Sequence, residues 1–185
     1  WENEFRYLNI LGEGSISGAY LGKDWSSDKP EQIDEDGDGT LEDNPDVRPE
    51  ERWAKAVRHT GKIGTYWTDR VHYDEVSDFD YTDDFKRAGQ INRTSHLTQK
   101  AELEFNNGNW QFLNLVESFQ TVDETTAENK KPFRRLPHVS LSKLSSYETN
   151  TFNYEFTTEA TRFTRSNFKL SGVDKINAKR FHTDV

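Results

Sequence analysis

Two runs decide the fold: Gln90-Ile91-Asn92-Arg93-Thr94-Ser95-His96-Leu97-Thr98-Gln99-Lys100-Ala101-Glu102-Leu103-Glu104-Phe105, and, after Asn106-Asn107-Gly108, Trp110-Gln111-Phe112-Leu113-Asn114-Leu115-Val116-Glu117-Ser118-Phe119-Gln120-Thr121. In the first run the even-numbered residues form a wet face. The odd-numbered ones turn apolar only toward Ala101, Leu103 and Phe105, as in a strand that leaves a solvated loop and enters an apolar layer. Asn and Gly tolerate the positive φ of a tight hairpin, so Asn106–Gly108 reads as the turn between two strands. In the second run both faces are mixed, and its inside and outside stay undecided.

Strands this long exceed the usual five or six residues of soluble sheets, roughly twofold. Period-two spacing recurs along the chain, and sustained helical spacing does not. Strands are expected near Glu2–Asn9, Gly12–Lys23, Arg52–Lys62, Thr65–Val76, Gln90–Phe105, Trp110–Thr121, His138–Tyr147 and Thr151–Thr164, with a last one entering at Ile176. This is an all-β chain: an antiparallel up-and-down meander, with long strands, short turns and long polar loops, fitting part of a transmembrane β-barrel of eight to nine strands. One domain over 1–185 is expected, interrupted by an acidic insertion at 24–51.

The 185 residues carry no Cys and no Met, which excludes a disulfide framework, Cys-ligated zinc and a thiol nucleophile. A chain that opens on Trp1 within an alternating pattern reads as an excised piece whose leader is out of view. The formal charge is −9. Asp24–Glu51 alone holds twelve acidic residues against Lys29 and Arg48, leaving 21 acidic and 22 basic residues elsewhere. No basic stripe stands clear of matching carboxylates, so a nucleic-acid partner is not expected.

The sharpest local pattern is Asp34-Glu35-Asp36-Gly37-Asp38-Gly39-Thr40-Leu41-Glu42, whose carboxylates at the first, third and fifth positions and turn glycine suit a Ca²⁺ loop. Pro45 occupies the place of the usual bidentate carboxylate. The expected ligands are Asp34, Asp36, Asp38, the Thr40 carbonyl and Glu42, in a site needed by no chemistry. Calorimetry checks it: heat on millimolar Ca²⁺ addition, lost in Asp36→Ala, is the expected outcome, and no heat in either leaves a plain acidic loop.

The five histidines, His59, His72, His96, His138 and His182, lack metal-ligand spacing and read as ordinary side chains. Gly12, Gly14, Gly18 and Gly22 alternate along a strand with no helix after them, so they allow close approach rather than cradle phosphate. Asp78-Phe79-Asp80-Tyr81-Thr82-Asp83-Asp84-Phe85 interleaves acids and aromatics as a glycosidase site does, yet reads first as an ordered loop with its aromatics packed down.

Several segments together resemble the lipopolysaccharide-assembly protein family LptD, the organic solvent tolerance proteins. They are Glu4–Leu8, Gly18–Leu21, Arg52–Ala54, His59–Gly61, Tyr73–Asp78 followed by Asp83–Phe85, Pro132–Pro137 and Glu159–Phe163, in matching order over nearly the whole chain apart from Asp24–Glu51. The resemblance implies an outer-membrane barrel of about 26 strands that exports lipopolysaccharide to the outer leaflet. It further implies an LptE-like lipoprotein plug, a periplasmic Lpt bridge reached through a domain this chain lacks, no catalytic residue and no required cofactor. The chain would begin just past the first barrel strand, beside the lateral gate. The family's cysteines and its last barrel strands are missing. Two rival readings arise from the residues alone: a secreted β-sandwich that binds a glycan with Ca²⁺, and a glycosidase-like protein using Asp78–Asp84.

Overall fold

A computed structural model describes residues 1–24, 32–33, 42–43, 50–85, 91, 94–123, 125–145, 154–166 and 175–184. The strands are β1 (Glu2–Asn9), β2 (Gly12–Asp24), β3 (Gln32–Ile33), β4 (Glu42–Asp43), β5 (Glu50–Ile63), β6 (Trp67–Val76), β7 (His96–Asn106), β8 (Trp110–Thr121), β9 (Arg134–Ser145), β10 (Tyr154–Ser166) and β11 (Lys175–Asp184). Nine of them form one sheet in the order β1-β2-β5-β6-β7-β8-β9-β10-β11, every pair antiparallel, while β3 and β4 pair only with each other. The meander is as the period-two pattern implies. The sheet is not closed, so β1 and β11 are its edges.

Helix is confined to α1 (Tyr81–Asp84) and a single 3₁₀ turn at Glu128–Lys130 among the described residues. No helix there is long and apolar enough to cross a membrane, which says nothing of strands.

The two ends of the sheet differ. Residues 10–11, 64–66, 107–109 and 146–153 connect strands at one end, and 25–49, 77–95, 122–133 and 167–174 at the other. Gly64 (φ 65°) and Gly108 (φ 89°) take the left-handed conformation that their turns need. Three of the four connections at the first rim are only two or three residues long and the fourth has eight, against eight to 25 at the other rim, which is the asymmetry of membrane barrels.

Three departures from the sequence reading have local causes. The strand expected from Gln90 begins at His96, because the chain leaves the ladder after β6; among the described residues between α1 and β7, Ile91 alone forms a bridge. The strand expected from His138 begins at Arg134 and carries Pro137 inside it, following a cis Leu136 peptide. Pro has no N–H for the ladder, and register shifts there toward both neighbours, between Leu115 and Glu117 and between Thr161 and Phe163. Finally, β3 and β4 pair inside the insertion, where the mutual repulsion of twelve carboxylates would by itself favour an unpaired, extended chain.

Cross-strand register sorts the side chains into two faces. Phe5, Ile16, Val57 and Tyr73 share one row. Val71, Ala101 and Val116 share another, and Trp67, Phe105, Phe112 and Leu141 a third on the same face. Val139, Ala160 and Phe181 continue it. Phe5 is 64% exposed and Phe181 78%, and no second sheet covers this face among the described residues. The opposite face holds the buried residues Ser15, Ser17, Ala54, Ala56, Asp74, Val76, Leu115, Glu117 and Thr161. Alternation alone would place Val71, Tyr73, Leu97, Leu103 and Phe105 together in one outward apolar band, and all of them but Leu97 lie on the first face. Leu97 is 1% exposed and packed with Ala54, Ala56, Val76, Tyr81, Ile91 and Val122, because β7 leaves the β6 ladder beyond Gln99 and turns its first residues inward.

Candidate functional site

The functional surface is the sheet itself, so its two faces are the site. Aromatic rings collect at two levels of the exposed face. Near the short turns, Trp67 lies 5.0 Å from Phe105 and 6.1 Å from Phe112, Tyr66 lies 5.9 Å from Phe105, and Lys143 caps the Trp110 ring at 5.1 Å. Near the long connections, Trp1 lies 5.9 Å from Tyr20, Tyr20 pairs in register with Trp53, and Lys55 sits 3.8 Å over the Trp53 ring. Rings with a polar or cationic companion settle where an apolar layer meets water. Along β5 the distance from Trp53 to Ile63, which pairs with Trp67, is about 33 Å at about 3.3 Å per residue. A strand tilt of about 40° lowers this to a height of about 25 Å, the thickness of the apolar band of outer-membrane barrels.

The opposite face is a charged lattice. Arg58 pairs with Asp74 (2.7 Å), and His72 Nε2 lies 3.0 Å from the same carboxylate. Arg70 bridges Glu102 and Glu104 at 2.9 Å each, Lys100 pairs with Glu102, and Arg135 donates to Glu117 at 2.6 and 2.8 Å. His138 Nδ1 meets the Thr161 hydroxyl at 2.6 Å in the adjoining row. A cleft of about 350 Å³ opens here between Arg58, Arg70, His72, Thr98, Lys100 and Glu102. Each carboxylate here has a cationic or imidazole neighbour, on its own strand (Lys100–Glu102, His72–Asp74) or the next, while Asp74 Oδ1 is buried beside Arg58 without a hydrogen bond of its own among the described residues.

One polar chain lies on the exposed face. Tyr7 stacks on His59 at 5.8 Å and its hydroxyl bonds His59 Nδ1, while His59 Nε2 meets Asp69 at 2.6 Å. Gly14 and Gly61 make room for it: a Cβ on Gly14 would stand 2.5 Å from the Tyr7 hydroxyl, and one on Gly61 2.6 Å from Asp69. The close approach expected of the β2 glycines is thus seen at Gly14.

At the rim of the long connections, Arg52 is 6% exposed and takes two of the four carboxylates in the stretch Asp78–Asp84 that the glycosidase-like reading would draw on. Its Nε and Nη2 donate to Asp78 (3.0 and 2.7 Å) and its Nη1 to Asp84 (2.6 Å), and its guanidinium lies 5.0 Å from the Phe85 ring and 5.6 Å from that of Tyr81. Tyr81 is buried and Phe85 half-buried, as expected of an ordered loop with packed aromatics, although Phe79 stays exposed. Burial raises the Tyr81 hydroxyl pKa. At the base of the next loop, Thr125 donates its hydroxyl (2.6 Å) and its amide (2.9 Å) to Asp123, holding that carboxyl below its ordinary range.

Of the Ca²⁺ candidates, Asp34, Asp36, Asp38 and Thr40 lie outside the described residues, and Glu42 is described only as backbone paired with Ile33. All five histidines have hydrogen-bonding neighbours: His59 and His72 as above, His96 with Thr121, His138 with Thr161 and His182 with Asp184. Sequence reasoning missed Arg52 and Gln120. The signal for Arg52 was its parity: it shares a strand face with Ala54 and Ala56, small residues that leave space for something to dock.

An antiparallel meander with one bare, aromatic-girdled face and one ion-paired face is built as the wall of a membrane β-barrel. The chain matches the family model of LPS transport system D, LptD, over residues 50–185. It is 34% identical over 173 residues to LPS-assembly protein LptD of Chromohalobacter salexigens, covering 92% of this chain and 19% of that protein. The same protein of Marinobacter nauticus is 28% identical over 179 residues, and that of Pseudomonas syringae pv. tomato 29% over 200, covering 97% and 98% of this chain and 20% of each relative. The chain therefore belongs to the LptD family, and it spans about a fifth of the length of these relatives.

Proposed function

We propose that the chain is a stretch of outer-membrane barrel wall that takes part in assembling lipopolysaccharide at the outer leaflet. The observation that carries this reading is the division of one sheet into an uncovered, mainly apolar face about 25 Å tall between aromatic girdles, crossed by the polar chain of Tyr7, His59 and Asp69, and a charged face opposite. The apolar face meets lipid and the charged face lines the lumen. The rim of short turns faces the periplasm and the rim of long connections the exterior. The relatives' name, LPS-assembly protein, supplies the cargo.

On this reading the lumen lattice contacts an LptE-like plug or the polar part of the cargo, and the periplasmic bridge is met by other parts of the protein. The wall guides and performs no bond chemistry: Asp78 and Asp84 serve as anions for Arg52 and do not flank a cleavable bond. The secreted sandwich loses its ground, since a sandwich needs a second sheet to cover Phe5, Val116 and Phe181.

The test is depletion of the full-length protein that carries this chain, with lipopolysaccharide followed by its modification at the cell surface. Depletion is expected to leave newly made lipopolysaccharide inaccessible from outside, and re-expression to restore it. Normal surface delivery during depletion would overturn the reading.

A further inference from the structure

We infer that the segment entering and forming α1 is a strut folded into the exterior mouth of the wall, and that Arg52 is the latch closing that mouth to polar solutes. The inference rests on the membrane-wall reading above.

The chain turns inward at a definite place. The β6–β7 ladder stops at Tyr73 and Gln99, three residues short of the end of β6. Beyond it, the Gln120 side chain reaches from β8 and serves the backbone of Val76, accepting from its N–H at 2.9 Å and donating to its carbonyl at 2.7 Å. An amide side chain thus stands in for a departed strand at Val76, where it pairs both backbone groups.

After Val76 the chain crosses to the lumen face. Tyr81 is 4% exposed in a cluster with Ala54, Ala56, Val76, Leu97 and Val122, and Ala54 and Ala56 belong to the charged side of β5. Alanine at both positions forms the seat, since longer side chains there would occupy the ring's place.

Arg52 joins strut to wall. It contributes one cation to two of the strut's four carboxylates, Asp78 and Asp84, while Asp80 and Asp83 are exposed beside them. Without the guanidinium Asp78 and Asp84 lose their shared cation and repel each other, and the strut is left with the packing of Tyr81 and Phe85 on the wall cluster. The backbone bonds Ser77 N to Trp53 O (2.8 Å) and Trp53 N to Ser77 Oγ (3.1 Å) fix the hinge, so loosening the latch swings the strut and leaves the wall intact.

The experiment reconstitutes the full-length protein, with its natural partner, in planar bilayers bathed in potassium chloride, and compares Asp84→Asn, Tyr81→Ala and Asp84→Glu with the parent. Barrel assembly is scored separately by the heat-dependent shift in gel mobility. Expected are normally assembled Asp84→Asn and Tyr81→Ala barrels with several-fold higher conductance, and parental conductance in Asp84→Glu. Assembled variants with parental conductance would overturn the latch and leave the barrel standing. Failure of both variants to assemble would assign the cluster to folding and likewise overturn it. A parent that shows no heat-dependent shift would overturn the barrel reading, and the latch with it.

Discussion

Arg52→Ala is expected to lower the unfolding free energy of the full-length barrel by about 2–4 kcal/mol, the largest loss among single changes at the rim. Removing one partner of a fully dry ion pair costs about 3–5 kcal/mol. Here the guanidinium is dry, but the side chains of Asp78 and Asp84 are 27% and 51% exposed, so water recovers part of the loss. Contacts with the Tyr81 and Phe85 rings go with it, each worth about 0.5–2 kcal/mol. Arg52→Lys keeps the charge but cannot reproduce the two-point grip on Asp78, and should recover less than half of the loss. Urea unfolding of the barrel in lipid vesicles measures both. A loss under about 0.5 kcal/mol in Arg52→Ala would place this cluster among ordinary surface pairs.

Val116→Arg should be as damaging for a different reason. Val116 is 41% exposed on the bare face, beside Ala101 and midway along β8 between the two rims. If lipid covers it, a guanidinium there costs about 2–4 kcal/mol, whereas water would accept it at almost no cost. Ser140→Arg, on the charged face of neighbouring β9 opposite Leu113, is the control and should cost under about 1 kcal/mol. Equal, small effects at both positions would mean that both faces are wet.

Much of this wall was legible before any coordinates. Even-numbered residues from Thr98 to Glu104 do form the charged face, and Ala101, Leu103 and Phe105 the bare one, because a strand's alternation is local and survives whatever its neighbours do. The β8 faces were not legible alone, since Leu113, Leu115 and Phe119 point to the same side as Glu117. They resolve once Phe112 is seen beside Phe105 and Leu141, and Leu115 beside Glu102 and His138. Leu97 departs from the band because alternation assumes a strand flanked on both sides, and β7 is paired with β8 from His96 but with β6 only from Gln99 on. Arg52 escaped for a related reason: its partners lie 26 and 32 residues away, in a loop whose inward fold depends on Gln120. The strand expected from His138 starts at Arg134, because a register shift toward both neighbours accommodates Pro137 inside the ladder.

The central claim is that one face of the sheet meets lipid and the other water. The chain has no native cysteine, so, once any free thiols elsewhere in the full-length protein are blocked or replaced, single spin labels can be introduced along it and their collision rates with oxygen, which concentrates in lipid, and with a water-soluble nickel chelate compared in vesicles. Labels at Val71, Ala101, Leu103, Val116 and Leu141 are predicted to favour oxygen, and those at His72, Glu104, Leu113 and Ser140 the chelate, alternating residue by residue. The same chelate accessibility in both sets, with no alternation along β7 and β8, would contradict the account.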